Sequence, residues 1–296
     1  MQQQPEQNAD KRYQFNLSYP LIRQFLQAEG EEETTIRTAR DCRSIGLLHS
    51  DRLTALLLYR PEAWESQVLD KRIARLMLLT GGTAANRRRL LRQFIHTARH
   101  QGADLITVRV EADNQRDIQL LEREHFVFVD GLLTLSMEGI EGVAAPAIRI
   151  MTAADLEAVQ QIAAGTFVNS RFYGDPKLST AAADRLYRRW TVNNFRGRAD
   201  RNWVAADQRG QVLGFIQCRT VERWLIIDLL AVKKGCGSRG VGSSLVRAAL
   251  SDAVERGIRR AQVGTQLGNI AAVRLYERCG FRLVHASVTL HRWLDS

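Results

Sequence analysis

The residues able to do chemistry concentrate between Leu229 and Leu245, in the stretch LLAVKKGCGSRGVGSSL. An apolar, strand-like run ends at Val232 and gives way to a basic, glycine-rich loop, which opens a helix at Gly240-Val241-Gly242. That order presents successive backbone N–H groups and the positive end of a helix to a phosphorylated ligand, and small residues let the ligand come close. The spacing is not that of a P-loop, because no Gly-Lys-Ser/Thr closes it. Nor is it a dinucleotide fingerprint, because no acidic residue ends a second strand at the expected distance. The expected phosphate cradle is therefore Gly237, Ser238, Arg239, Gly240, Val241, Gly242 and Ser243. A tight strand-to-helix turn with no ligand would use the same glycines, so the loop alone decides nothing.

The residues that follow carry more weight. After a helix through Arg256, a short strand (Ala261 to Gln266) leads to Asn269, placed to cap a helix that carries Tyr276 and ends at Gly280. With strand, phosphate-type loop, helix, strand, Asn-x-x-Ala-x-x-x-Tyr and Gly-Phe in this order, the chain resembles the GNAT superfamily of acetyl-CoA-dependent N-acetyltransferases. The resemblance implies acetyl-CoA as acetyl donor and no metal. Leu230-Ala231-Val232 would hydrogen-bond the pantetheine arm, the loop amides would hold the pyrophosphate, and Asn269 and Tyr276 would face the thioester. One position departs from the family's Gln/Arg-x-x-Gly-x-Gly, since Gly237 stands where Gln or Arg is usual. The amides survive that change; affinity and loop rigidity are what it puts at stake.

Two upstream segments, FVNSRFYGDP (Phe167 to Pro176) and YRRWTVNNFRG (Tyr187 to Gly197), with the closing VTLHRWL, narrow the resemblance. They are similar to members of the superfamily that acetylate the 4-amino group of a dTDP-linked 4-amino-4,6-dideoxy sugar. A nucleotide-sugar acceptor and a place in cell-surface polysaccharide biosynthesis are what this implies. The likeness is good from Thr166 to Leu294, thins between Ala63 and Met137, and is absent ahead of that.

Acetyl transfer to an amine needs an uncharged amine, a polarised thioester carbonyl and a proton for the departing thiolate. The strand end Leu230-Ala231-Val232 can offer an N–H to the carbonyl oxygen. Tyr276 is the expected general acid: a phenol near pKa ~10 facing a thiolate near ~8.5 is mismatched by only one or two units. Its plain alternative is a tyrosine that covers the core. For the base, the resemblance implies a carboxylate from the N-terminal half working through water, which is Asp130 in HFVFVDG; an Asp130-Gly131 turn pair is the alternative.

A chain of 296 residues, 45% hydrophobic and 25% charged, has room for one large or two ordinary cores. No apolar run approaches the ~20 residues of a membrane span, and MQQQPEQNADKRYQ has no apolar core of a signal peptide, so a cytoplasmic location is expected. Four dispersed cysteines, Cys236 among them as a small loop residue, argue for reduced thiols. His96 and His100 read as a solvated basic face rather than metal ligands. The net charge of +10 favours a polyanionic partner. Nucleic acid fits poorly, since the arginines of NRRRLLRQ and DRLYRRW alternate with apolar residues at helical spacing. The phosphates of CoA and of a nucleotide sugar account for part of that charge. A small-molecule amine is the expected partner, and monomer and homodimer both stay open. Two rival functions remain: acetylation of a protein N-terminus, peptide or small amine, or a non-catalytic basic binding protein on a decayed fold. Ser170, Arg171, Tyr173 and Arg196 discriminate, because a nucleotide diphosphate asks for arginines and a peptide for an open apolar groove.

The expected architecture is α/β, a GNAT-type mixed sheet flanked by helices, preceded by a degenerate GNAT-like lobe. Its divisions are a tail (1–11), the first domain (12–140), a small neutral linker (141–147) and the catalytic domain (148–296). The first lobe repeats the grammar of the second, LEREHFVFVDG matching LYERCGFRLVHA. Its loop is reduced to TGGTAANRRR, which predicts lost CoA binding.

Overall fold

The computed structural model describes residues 11–141, 148–236 and 240–294. Most of the expected tail and linker, together with Gly237, Ser238 and Arg239, lies outside the described residues. Contacts divide the chain into two compact units: Met1–Val110 with Asn114–Phe128 and Leu290–Ser296, and Glu111–Asp113 with Val129–Thr289.

The first unit runs β1 (Lys11–Phe15), α1 (Tyr19–Ala28), α2 (Glu33–Thr38), β2 (Arg43–His49), β3 (Arg52–Pro61), α3 (Ala63–Leu69), β4 (Ile73–Gly81), α4 (Ala84–His100), β5 (Leu105–Glu111) and α5 (Gln115–Arg123). Its strands lie in the order β1-β2-β3-β4-β5, antiparallel except for the parallel β4–β5 pair. Thr83 caps α4 by accepting the Asn86 N–H at 3.2 Å, and Leu90, Leu91, Phe94, Ile95 and Ala98 form its buried stripe. β1 and β2 escape sequence reading. KRYQF is polar and mostly exposed, and RSIGLLH is short, so pairing rather than apolar periodicity places both.

The chain continues with β6 (Val127–Glu138), β7 (Arg149–Ile150), α6 (Leu156–Ala163), α7 (Arg171–Gly174), α8 (Thr180–Asn193), β8 (Arg201–Ala206), β9 (Val212–Val221), β10 (Trp224–Val232), α9 (Val241–Glu255), β11 (Arg260–Gln266), α10 (Ile270–Arg278) and β12 (Arg282–Trp293). In the second unit the order is β12-β6-β11-β10-β9-β8-β7, a mixed sheet in which β10 and β11 run parallel. Its core joins Leu225, Ile227, Ala261 and Val263 from the strands to Leu245, Val246, Ala249, Leu250 and Ala253 from α9. Thr152-x-x-Asp155 forms a capping box, whose first turn, Ala153–Asp155, is a 3-10 turn that precedes α6. Arg149 closes the box from outside with two hydrogen bonds to Asp155, at 2.6 and 2.7 Å.

One backbone feature recurs in both units. β10 pairs with β11 only from Trp224 to Ile227, and a bulge in its ladder with β9 skips Asp228. β4 likewise pairs with β5 only from Ile73 to Leu76, and its ladder with β3 skips Met77. In each unit two parallel strands therefore part just where one bulges.

Candidate active site

Past Asp228, the residues Leu229 to Val232 stay paired to β9 on one side while the register with β11 has ended. The Lys233 N–H donates to Leu213 O at 2.8 Å, so alternation along the strand sends the Ala231 N–H the same way. The N–H groups of Leu230 and Val232 then face the open edge. This edge has the donor set that an amide-bearing arm and a polarised carbonyl require. Gly214 keeps the neighbouring strand close, since a Cβ there would lie 2.9 Å from Ala231 O.

At the far end of the loop Gly240 adopts φ +74° and opens α9 with no side-chain cap. The first helical bond is Ser244 N–H to Gly240 O, at 3.0 Å. Val241, Gly242 and Ser243 thus present N–H groups without acceptors inside the helix, and Lys233 and Lys234 at the start of the loop are exposed. Gly242 has a second reason to be glycine. A Cβ there would meet Leu275 Cδ2 at 3.1 Å, so its absence lets α10 pack against α9.

Asn269 caps α10, accepting the Ala272 N–H at 3.2 Å. Tyr276 is 4% exposed, its ring edge-on to Phe281 at 5.7 Å between centroids. Burial pushes its phenol well above the usual value, with Cys218 and Cys279 as lesser influences in the same direction. Such a phenol holds its proton throughout the ordinary pH range, which excludes a base; burial also makes it a weaker acid than a free phenol, so its mismatch with a thiolate is wider than the sequence suggests.

Asp130 and Gly131 lie inside β6 rather than in a turn. Asp130 is 5% exposed; its Oδ2 accepts the Arg171 N–H at 2.9 Å, whereas Oδ1 is buried with no hydrogen-bond partner. Ser170 is buried beside the Tyr187 phenol, and its side chain interacts with it. An unmet polar atom in a packed interior is costly, so the Asp130 Oδ1 marks a place prepared for another group. Gly131 O accepts the Leu267 N–H at 2.8 Å, which sets Asp130 beside the end of β11 and just ahead of Asn269.

Around Asp130 stands a ladder of rings. Tyr187 stacks on Phe167 at 4.4 Å, on Tyr173 at 6.0 Å and on Trp190 at 5.9 Å, the last two planes within 13° and 6° of parallel. Burial drives the Tyr187 phenol up, opposed by a hydrogen bond with Ser170 and by Arg171, with Asp130 adding to the rise. Burial also lifts the Tyr173 phenol, to about 12, aided by the hydrogen bond it makes to Asp184. Of the four acceptor-side residues expected from sequence, Ser170, Arg171 and Tyr173 gather here; Arg196 is exposed on the turn after α8. Phe167 and Trp190 lie in the two segments quoted from the sequence but were given no role there, and Asp184 and Asp228 went unremarked. Asp228 alone left a signal, as the one charge in the apolar strand WLIIDLLAV.

The first unit has a similar strand-parting backbone with different side chains. Asn114 caps α5 through the Asp117 N–H at 3.2 Å, as Asn269 caps α10, yet Leu121 stands where Tyr276 would be. A Cβ on Gly81 would meet the Phe25 ring at 2.6 Å, so a side chain from α1 fills the space beside the strand end.

A sequence profile of the Acetyltransferase (GNAT) family matches residues 158–281. The chain is 32% identical over 282 residues to the Spore coat polysaccharide biosynthesis protein SpsD of Bacillus subtilis (strain 168), covering 94% of this chain and 96% of that one. It is 28% identical over 189 residues to the dTDP-fucosamine acetyltransferase of Escherichia coli O6:H1, covering 63% of this chain and 81% of that one. A GCN5-related N-acetyltransferase from Sphaerobacter thermophilus superposes with a TM-score of 0.68 at 14% identity, over 96% of each chain. The parted strands, the helix-opening loop and these similarities converge: the chain belongs to the GNAT family and is an acetyltransferase.

Proposed function

We propose that the protein transfers acetyl from acetyl-CoA to the amino group of a nucleotide-linked 4-amino-deoxy sugar, dTDP-linked in the first instance, by direct attack and without an acetyl-enzyme. The observation that carries the reading is the pairing of the open β10 edge with a buried, polar, aromatic-walled acceptor side at Asp130. Acetyl-CoA would lie along Leu230, Ala231 and Val232, its pyrophosphate on the amides that run from Gly237 to Ser243. A Leu230 or Val232 N–H would take the charge that develops on the thioester oxygen. Asp130, with one oxygen fixed by the Arg171 N–H and the other unpartnered, would draw the proton from the amine, directly or through water. Tyr276 would protonate the leaving thiolate. Asn269 would hold the start of α10, and with it Tyr276, against the thioester.

A sugar nucleotide is supported over a peptide by the arginine on the acceptor side, Arg171, which is buried with its guanidinium 4.2 Å from the Phe172 ring centroid. The activity for which the Escherichia coli relative is named and the polysaccharide role for which the Bacillus subtilis one is named agree with it. Polysaccharide biosynthesis is accordingly the setting we propose, and the cytoplasm, where acetyl-CoA is made, the location; no helix among the described residues is long and apolar enough to cross a membrane. A panel of dTDP- and UDP-amino sugars, peptides and simple amines, assayed with acetyl-CoA, tests the reading. Turnover of peptides with none of any sugar nucleotide would overturn it.

A further inference from the structure

Asp228 sits where β10 bulges and parts from β11, one residue before the open edge. Its side chain is 6% exposed and gathers four donors. The Trp190 Nε1–H donates to Oδ2 at 2.7 Å, Asn194 Nδ2 at 2.8 Å and Arg198 Nη1 at 2.7 Å, while Arg219 Nε reaches Oδ1 at 3.1 Å. A carboxylate offers about four lone-pair sites, so this one is occupied and is not a free base.

The bulge does not need the acid. β4 makes the same bulge at Met77, which packs in the apolar cluster formed with side chains of α1, α2 and β3 rather than against donors. The carboxylate therefore serves something other than backbone geometry. Three of its donors come from one place, the last turn of α8 and the π-type turn Asn194–Arg198 that follows. Trp190 is the end of the ring ladder that runs through Tyr187 to Phe167 and Tyr173 beside Asp130. Asn194 is in turn bonded to Gln217, whose Nε2 donates to Thr191 O at 3.1 Å and to Asn202 Oδ1 at 2.8 Å.

We infer that Asp228 is a positioning residue: it fixes the acceptor-side aromatic ladder to the strand that carries the thioester, so that the amine and the carbonyl meet in register. Charge assistance makes such bonds directional, and a displacement of about 1 Å between reacting groups can cost 10²-fold in rate. The inference rests on the acceptor reading above for the substrate it positions, though not for the coupling itself.

The test uses the full chain with Asp228→Asn, Trp190→Phe and the double variant. With dTDP-4-amino-4,6-dideoxygalactose as acceptor, Asp228→Asn is expected to raise acceptor KM about 10-fold and lower kcat about 10²-fold. Acetyl-CoA KM should stay within about 2-fold of wild type, and the double variant should be no worse than the poorer single one, as for two members of one unit. A parallel rise of both KM values with a fall in Tm would mean a structural role only, and wild-type kinetics would mean none; either overturns the inference. Hydrogen–deuterium exchange separates it from acceptor identity. Asp228→Asn should speed exchange across 187–198 and leave β9 and β10 as they were. If wild-type protein ignores this sugar nucleotide, the acceptor reading fails while the exchange result still decides the coupling: faster exchange confined to 187–198 upholds it, and unchanged exchange overturns it.

Discussion

Tyr276→Phe removes one hydroxyl from a ring that is 4% exposed and packed edge-on to Phe281. The neighbours are Phe281, Cys218 and Cys279, which accept a phenyl ring without rearrangement. No described hydrogen bond involves the hydroxyl, so the change in stability should stay below about 1 kcal/mol, and Tm should barely move. The kinetic effect is of another size. Loss of a general acid slows turnover by about 10²–10⁴-fold, or roughly 3–5 kcal/mol on the barrier. Release of the CoA thiol, followed with a thiol reagent at saturating acetyl-CoA and acceptor, measures it. Calorimetric affinity for acetyl-CoA should persist, because the phenol acts on charge present only in the transition state. Burial raises the phenol, so it is protonated below its ordinary range and well beyond it; any alkaline fall in kcat due to Tyr276 must therefore lie above about pH 10. A Phe variant that turns over within about 3-fold of wild type would refute the acid role and leave Tyr276 as a core residue.

Three further outcomes follow from the same geometry. Asp130→Asn can still accept the Arg171 N–H, so it should fold, and it should lose rate mainly at low pH, where the amine most needs a base; equal rates across the pH range would dismiss the base. Gly240→Asp meets open space, though at φ +74°, costing about 1 kcal/mol, and should weaken acetyl-CoA binding in calorimetry by setting a carboxylate against phosphate. Gly242→Asp should also lower Tm, since its Cβ crowds Leu275 and overpacking costs about 1–3 kcal/mol; equal Tm for the two variants would contradict that packing. The hydrogen bonds from Arg149, opposed by burial and helped by Thr152, hold Asp155 below the usual carboxylate range. A depressed folded pKa gives stability that is present above the unfolded value and lost as pH falls through the folded one. Acid melts should thus show Tm falling below about pH 4, less steeply in Asp155→Asn.

What was legible in the sequence was what local rules govern. The Asn269 cap, the Thr152-x-x-Asp155 box and the helix opening at Gly240 depend on neighbours a few residues away, and each stands in the structure. The acceptor side was legible only in part. Ser170, Arg171 and Tyr173 were named, but their meeting with Asp130 links β6 to α7 across some forty residues of sequence, |i−j| = 41 for the Arg171–Asp130 bond, and no spacing announces it. Gly242 read as a phosphate-loop glycine; its contact with Leu275 is a tertiary fact. The parting of β10 from β11 was illegible as well, because it is set by which residues pair between strands and only pairing reveals where they separate. Asp228 should have been weighed, since a lone charge in a buried strand must find partners.

The central claim is acetyl transfer from acetyl-CoA to a sugar-nucleotide amine. Its most direct test is mass spectrometry of dTDP-4-amino-4,6-dideoxygalactose incubated with the protein and acetyl-CoA. The account predicts a product heavier by one acetyl group, linked as an amide at the 4-amino nitrogen, with CoA released in equal amount. An unchanged sugar nucleotide, beside a peptide or simple amine that the same preparation acetylates, would contradict it.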